Sequence, residues 1–148
     1  MSTAVKHKHV ESSLADHIST NIVEFTTIFY GEEIDVAALT EWAEVYITQI
    51  NGKKRRINNL YQATSSIKFE FFYTGESNHY RANEMYKIAR NLLRHSTIDI
   101  TDFSGPTVVG GIRIGNPKQQ QNDRRIGGRH HNAIPSITAI FPFTIQET

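Results

Sequence analysis

Histidines are the side chains in this sequence best suited to bind a metal ion or to move protons. His130 and His131 are adjacent, and His7 and His9 alternate near the start. Adjacent residues on an extended chain point to opposite sides, so they rarely ligate one ion. The sequence has no H-E-x-x-H motif and no companion carboxylate cluster. We therefore expect no metal site and no cofactor.

Two pairs of neighbouring acids are candidates for a general acid and base, namely Asp99 with Asp102 and Glu32 with Glu33. Such catalysis needs a second group within hydrogen-bond reach, and nothing in the sequence places one there. Ser104-Gly105 lacks the pattern of a nucleophile elbow. The sequence therefore predicts that the protein is not an enzyme. The alternative, a small hydrolase, requires a pocket of convergent titratable groups.

The stretch "GGIRIGNPK" contains glycines and a lysine but does not match a phosphate-binding loop. It lacks the G-x-x-x-x-G-K-[ST] spacing, and no helix is predicted after it. Paired glycines inside a strand pattern indicate a bulge or a close backbone contact. We expect one of these at Gly110-Gly111.

The stretch "IKFEFFY", residues 67–73, alternates aromatic residues after a basic one. This pattern is typical of a strand on which RNA-binding domains stack bases. However, the glycines of that motif are missing, and aromatic residues at period two are more often part of a core. An RNA- or DNA-binding module that uses this strand and the basic loops remains an alternative.

Basic residues are concentrated in two segments. Residues 51–58 contain Lys53, Lys54, Arg55 and Arg56, and residues 116–133 contain Lys118, Arg124, Arg125 and Arg129 against the single acid Asp123. The two segments together have a net charge of +7, and the rest of the chain has −6. The second segment, rich in glutamine and glycine, is predicted to be a long basic loop at 116–133.

Acidic residues are concentrated in the stretch "GEEIDVAALTEWAEVYI". It contains five acids and no base, namely Glu32, Glu33, Asp35, Glu41 and Glu44. Separate basic and acidic patches suit contact with a second copy of the chain or with a charged partner. The simpler interpretation is a solvated surface of uneven charge.

The composition excludes several classes of protein. Cysteine is absent, so neither disulfides nor thiolate metal sites can form, and a reducing compartment fits best. No apolar run reaches the ~18 residues that a membrane helix needs. The polar start predicts a flexible N-terminal tail at 1–9, followed by a single domain at 10–148.

Hydrophobic periodicity predicts an α+β fold with a mostly antiparallel sheet flanked by two helices, in the order α-β-β-β-α-β-β-β. Apolar residues at spacing four predict a helix from Val10 to Ile22, and a second helix follows Ser77 or Asn78 as its cap. Asn51-Gly52 predicts a hairpin turn. In the last strand, Ile137 to Ile145 alternate onto one face, and Pro142 predicts an edge strand or pairing on one side only.

With this order of elements, the chain from about Val10 to Ile145 resembles the tail terminator proteins of long-tailed bacteriophages. The resemblance lies in an N-terminal helix before "NIVEFTTIFYG", an acidic linker before a tryptophan-containing strand, and a hairpin. It continues with the amphipathic helix "NEMYKIARNLLRH" and final strands with a long insertion.

The resemblance implies a structural virion protein at the neck end of the tail, assembled in the host cytoplasm. Such a protein forms a homo-hexameric ring that caps the tail tube and meets head-completion proteins, without catalysis. Another head-tail joining or minor tail protein would share the fold. We expect the acidic stretch and the basic segments to form subunit or tube interfaces, or the basic segments to line the lumen through which genomic DNA leaves.

Overall fold

The chain forms an eight-stranded sheet and two helices in a computed structural model. The structure describes residues 5, 7–29, 31–33, 35, 38–48, 51–54, 61–75, 79–125 and 133–147. Of residues 51–54, 61–62, 122–125, 133–135 and 147, it describes only the backbone. The elements are α1 (His7–Asn21), β1 (Thr26–Phe29), β2 (Glu41–Ile47), β3 (Asn51–Lys54), β4 (Tyr61–Tyr73), α2 (Tyr80–Leu93), β5 (Thr97–Asp102), β6 (Thr107–Ile114), β7 (Lys118–Arg125) and β8 (Ala133–Glu147).

The predicted α+β class, with a mostly antiparallel sheet and two helices, is confirmed. The predicted order of elements is wrong, because β3 and β7 each add a strand. Neither strand has the apolar alternation that would reveal it in the sequence. The neighbouring strands in the sheet are β1-β2-β4-β8-β6-β5, with β3 also paired to β4 and β7 to β8. Of the strand pairs in the described part of the chain, only β1–β2 is parallel.

Two breaks divide the sheet into halves that share the long strands β4 and β8. β2 ends with Ile47 opposite Ile67, and β3 begins with Asn51 opposite Thr64, so three residues of the chain separate these pairs on one side and two residues of β4 on the other. Between β6 and β7, residues 115–117 lie opposite residues 141–142 of β8. Each break therefore has one extra residue, as in a β-bulge, which bends and twists a sheet. Because Ser66 pairs with Pro142, the two breaks lie side by side across the sheet.

We call the part with β1, β2 and β7 the β2 half, and the part with β3, β5 and β6 the β6 half. One face of both halves carries the helices and the main core. The predicted alternation in the last strand is confirmed, since Ile137, Ala139, Phe141, Phe143 and Ile145 are all buried there. Helix α2 packs on β4 and β8, whereas α1 contacts β5 and β1. These are the two ends of the strand order, so the sheet curls around α1.

The predicted turn at Asn51-Gly52 is wrong. Both residues lie in β3, where they pair with Thr64 and Ala63. After the extra residue between β2 and β3, the chain resumes pairing with β4, and this pairing continues to Lys54 opposite Tyr61. Asn51-Gly52 therefore does not form the turn of the hairpin, and instead directly follows the extra residue between β2 and β3.

Pro142 does not lie in an edge strand, because β8 is inside the sheet. It does pair on one side only, as the alternative prediction stated. Its carbonyl oxygen accepts a hydrogen bond from the Gly115 N–H at 2.8 Å. In an extended strand the nitrogen and the carbonyl of one residue point to the same side. The Pro142 nitrogen, which has no proton to donate, therefore points toward the break between β6 and β7.

Other local predictions also have definite outcomes. The bulge and the close contact at Gly110 are confirmed: the β5–β6 register shifts there, and an added Cβ would lie 2.6 Å from the Gln146 backbone oxygen. Helix α1 begins at His7, so residues 7–9 are helical rather than part of a tail. The cap of α2 is His79, and Ser77 and Asn78 lie outside the described residues. The predicted loop 116–133 contains β7.

Candidate interaction surface

Three of the predicted interface acids, Glu32, Glu33 and Asp35, lie in the connection from β1 to β2 and are exposed. The Glu32 carboxylate accepts a hydrogen bond from the backbone N–H of Phe29, at 3.3 Å. This contact satisfies a donor at the end of an edge strand. Glu32 is therefore both a surface acid and a partial cap of β1.

The other two predicted acids make contacts within the chain. The Arg81 guanidinium donates to Glu41 Oε2 at 2.8 and 3.0 Å, and to Glu84 Oε2 at 3.0 Å. The Glu41 hydrogen bond, then that of Glu84, raises the pKa of Arg81. The Trp42 indole N–H donates to Glu44 at 3.1 Å. The five acids therefore do not form one patch, and Glu41 ties β2 to α2.

The two basic segments lie at opposite ends of the sheet. Lys53 and Lys54 are in β3, which pairs with the start of β4. Arg124 and Arg125 end β7, which pairs with the start of β8. Because β4 and β8 are antiparallel, their starts are at opposite ends, separated by about 40 Å at ~3.3 Å per residue. Arg55, Arg56 and Arg129 lie outside the described residues.

The helix-free face of the β2 half carries a small apolar cluster. Ile28, Trp42 and Phe72 are buried there, and Leu39 packs against them. The Trp42 and Phe72 rings stack at a centroid distance of 4.9 Å. Ile140 lies further along this face and is 41% exposed. Among the described residues, Leu39 therefore covers the helix-free face near Trp42, whereas the face near Ile140 is exposed.

A lysine on the same face is held by its cross-strand neighbour. The Lys68 ammonium lies 5.2 Å from the centroid of the Tyr46 ring, opposite it in the β2–β4 register. A hydrogen bond with Tyr46 raises the pKa of Lys68, and nearby Glu70 adds to the shift. This charge is therefore fixed in position beside Ile140, which is opposite Lys68 on β8.

The edges of the sheet differ in how their hydrogen-bonding groups are satisfied. At β5, the Thr101 N–H donates to Ser13 Oγ of α1 at 2.9 Å. At β1, Phe29 donates to Glu32. Strand β7 pairs with β8 on one side, and no strand in the described part of the chain pairs with its other side. Its eight residues offer an edge that can accept another strand.

The alternative use of residues 67–73 as a base-stacking strand is contradicted. Phe69 and Phe71 face the helices in the main core, and Phe72 lies under Trp42. All three are 0% exposed, so no base can stack on them. Basic loops could still contact a nucleic-acid backbone, which needs no aromatic surface.

One histidine, one aspartate and one serine approach each other without forming a nucleophilic triad. His9 Nε2 lies 3.6 Å from Asp102 Oδ1, and the Ser104 hydroxyl donates to the same oxygen at 2.6 Å. The hydrogen bonds from Ser104 lower the pKa of Asp102. The carboxylate lies between the other two groups, so the imidazole does not contact the hydroxyl as a general base must. The cluster instead closes the β5–β6 turn.

The described residues include no group of three or more histidine or acidic side chains placed to hold a metal ion. The described helices include none with the length and apolar character needed to cross a membrane. Sequence reasoning missed Arg81, whose partner Glu41 is 40 positions away. It also missed Ser13 and Arg113, although the alternation Ile112-Arg113-Ile114 indicates an outward arginine.

Comparison with known proteins leaves the resemblance without independent support. No protein-family model matches the chain, and no curated protein matches it.

Proposed function

We propose that this chain is a structural virion protein that forms a ring, caps a phage tail tube, ends its polymerisation and offers a joining surface to the head or neck. The observation that carries the proposal is the placement of two basic hairpins at opposite ends of one sheet. A terminal ring must contact the tube on one side and a different partner on the other. A subunit whose sheet has the basic pair β3–β4 at one end and the basic pair β7–β8 at the other meets that requirement.

The edges of the β2 half support lateral assembly. Through the successive strand pairings, β1 lies level with residues 119–122 of β7. These two strands run in opposite directions within the subunit. Consider copies arranged around an axis that runs nearly parallel to the strands. In that arrangement β7 of one copy can pair with β1 of the next as antiparallel strands, and neighbouring copies need not be displaced along the axis. Such head-to-tail contacts close into a ring rather than a helix.

The proposed partners combine this geometry with what the resemblance implies. They are other copies of the chain, six in all as the resemblance implies, a tail tube protein at one end and a head-completion or connector protein at the other. Genomic DNA would pass through the central opening. In this assembly the Phe29 N–H gives up its hydrogen bond to the Glu32 carboxylate, because the same edge of β1 pairs with β7 of the neighbouring copy.

Native mass spectrometry of the purified protein, with negative-stain images of the same sample, tests the ring. We expect a closed oligomer with a central hole. A strict monomer at all concentrations would contradict the proposal. In infected cells that lack the protein, a terminator predicts tail tubes of uncontrolled length, whereas tails of normal length without heads would indicate a joining protein instead.

A pair of variants at one position tests the proposed edge. The Pro142 carbonyl points to the β6–β7 side of β8, so the backbone groups of the other even-numbered residues of β8 point there too. These residues pair with the even-numbered residues of β7, whose N–H groups therefore point toward β8. The odd-numbered residues of β7 consequently point their N–H groups outward, away from β8. Gln121→Pro removes one outward donor, and Gln121→Ala keeps it. We expect only the proline variant to lose the oligomer, with both retaining the wild-type circular dichroism spectrum. Rings that survive in the folded proline variant would exclude this edge.

A further inference from the structure

A pocket lies where the end of α2 approaches the break between β6 and β7. Its volume is about 320 Å³, within the range of small-ligand sites. The lining includes His95, Arg113, Gly115 and three hydroxyl residues, Thr64, Ser65 and Thr144. The pocket therefore joins the helix-free face of the β6 half to the C-terminal end of α2.

The charge of this pocket is of one sign. Arg113 and His95 are exposed, and neither forms an ion pair or a side-chain hydrogen bond with another described residue. No aspartate or glutamate is among the lining residues. An arginine with no partner among the described residues, beside hydroxyl groups, matches the donors that bind phosphate, because its planar guanidinium can donate two parallel hydrogen bonds.

The strand register extends this chemistry across the sheet. Arg113 pairs with Thr144, Thr144 pairs with Thr64, and Thr64 pairs with Asn51 of β3. The row thus runs from the pocket to the strand that leads into the basic hairpin at 53–56. At about 4.8 Å between neighbouring strands, it covers about 14 Å. A linear polyanion fits such a row better than a single small ion does.

The lining of the pocket comes from two separate elements. His95 directly follows Arg94, the C-cap of α2, and Arg113 belongs to β6. The helix dipole accounts for a cation at the end of α2, but it does not account for Arg113. A helix end and a strand therefore both contribute donors to one pocket.

We propose that this pocket binds a phosphate of a nucleic-acid backbone, with Arg113 as the principal ligand and His95 and the threonine hydroxyls as supporting donors. Phe143, the aromatic residue in the lining, is buried, so the pocket offers no ring on which a base can stack, and the contact reads no sequence. The inference rests on the proposed ring for the source of the strand, DNA in transit. Phosphate binding itself needs only one subunit.

The test measures fluorescence anisotropy of a labelled oligonucleotide, single-stranded or duplex, over a series of salt concentrations. Arg113→Gln should weaken binding about tenfold and reduce the salt slope by about one. His95→Gln should weaken it by a smaller factor. The matched control is Lys8→Gln, which removes an exposed cation from α1. Lys8 lies near Asp102, which pairs with Thr107 at the other end of β6 from Arg113. The control should therefore change binding by no more than about twofold, because it removes only a distant charge.

Three results would overturn the inference. They are no salt-dependent binding by the wild type, equal losses in the Arg113 and Lys8 variants, and calorimetric binding of inorganic phosphate without any oligonucleotide binding. The last result would assign the pocket to free phosphate. Light scattering on the same samples separates this inference from the ring proposal, since Arg113→Gln should leave the oligomeric state unchanged.

Discussion

The helix-free faces of the two halves of the sheet differ in what they bury. In the β2 half, Ile28, Trp42 and Phe72 form a second, smaller core under Leu39. In the β6 half, the corresponding row is Thr64, Thr144 and Arg113, and all three are exposed. Both faces belong to the same two long strands, β4 and β8, so the strands themselves do not decide the difference.

The comparison shows how one sheet can combine stability with contact. The β2 half has apolar groups on both faces, and residues 38–40 cover part of its second face. In the β6 half, the row of Thr64, Thr144 and Arg113 on the other face presents hydroxyl groups and a cation. A sheet with one solvated face is ordinary for antiparallel strands. We infer that the two halves serve different contacts, the β2 half through its edges β1 and β7 and the β6 half through its polar face.

The largest expected effect is the loss of the small core in the β2 half. Trp42→Ala removes a side chain that is buried and stacked on Phe72. We expect the free energy of unfolding to fall by about 3–5 kcal/mol, measured by urea denaturation. On the same face of the β6 half, Thr144→Ala should change it by no more than about 0.5 kcal/mol. Equal losses would show that the two faces do not differ as described.

A smaller effect should follow from crowding the backbone of the β6 half. In Gly110→Ala the new Cβ would lie 2.6 Å from the Gln146 oxygen, so β6 and β8 must separate locally. We expect a loss of about 1–3 kcal/mol by the same measurement. At Gly111, the nearest atom to an added Cβ is the Ile98 oxygen at 4.0 Å. Gly111→Ala should therefore be neutral or slightly stabilising, and a loss as large as that of Gly110→Ala would contradict the assigned register.

The smallest expected effect is a pH dependence where α1 meets the β6 half. His17 Nε2 is buried without a hydrogen-bond partner among the described residues, and burial lowers the pKa of His17 below 6.5. The unfolded chain therefore binds the proton more readily. The stabilising contribution is complete above pH 6.5 and is lost as the pH falls toward the folded pKa.

His17→Gln should remove this contribution. The difference in thermal midpoint between wild type and variant, followed by calorimetry, should change as the pH is lowered through 6.5. Comparing the two proteins cancels the titration of the other six histidines, which are common to both. A difference that stays constant with pH would show that His17 titrates alike in the folded and unfolded chain.

Periodicity in the sequence was sufficient to predict the parts of the fold that bury apolar side chains. The face of β8 from Ile137 to Ile145, the face of β4 with Phe69 and Phe71, and helix α2 follow directly from spacings of two and of three to four. These segments are recognisable from the sequence because the buried face of each element requires apolar residues at a regular spacing. The close backbone contact at Gly110 was also predictable, because glycine weakens a strand and often marks a position where another backbone approaches closely.

The polar strands were not predictable by the same means. β3 and β7 carry lysine, glutamine and arginine, and they are strands because β4 and β8 offer them unpaired backbone groups. Pairing of this kind depends on the partner strand and leaves no alternation in the sequence. The same reason explains the misplaced turn at Asn51-Gly52 and the missed Arg81–Glu41 pair, which both depend on residues distant along the chain.

The paired breaks beside Ser66 and Pro142 have a consequence for how relatives of this chain can diverge. Because β3 and β7 each resume pairing after a break, the two hairpin arms can lengthen or shorten by two residues at a time without turning any inner side chain outward. Relatives could therefore differ in the length of either arm while the core that faces the helices keeps its register. A change in only one arm would be absorbed at the break, where the ladder already accommodates one residue too many.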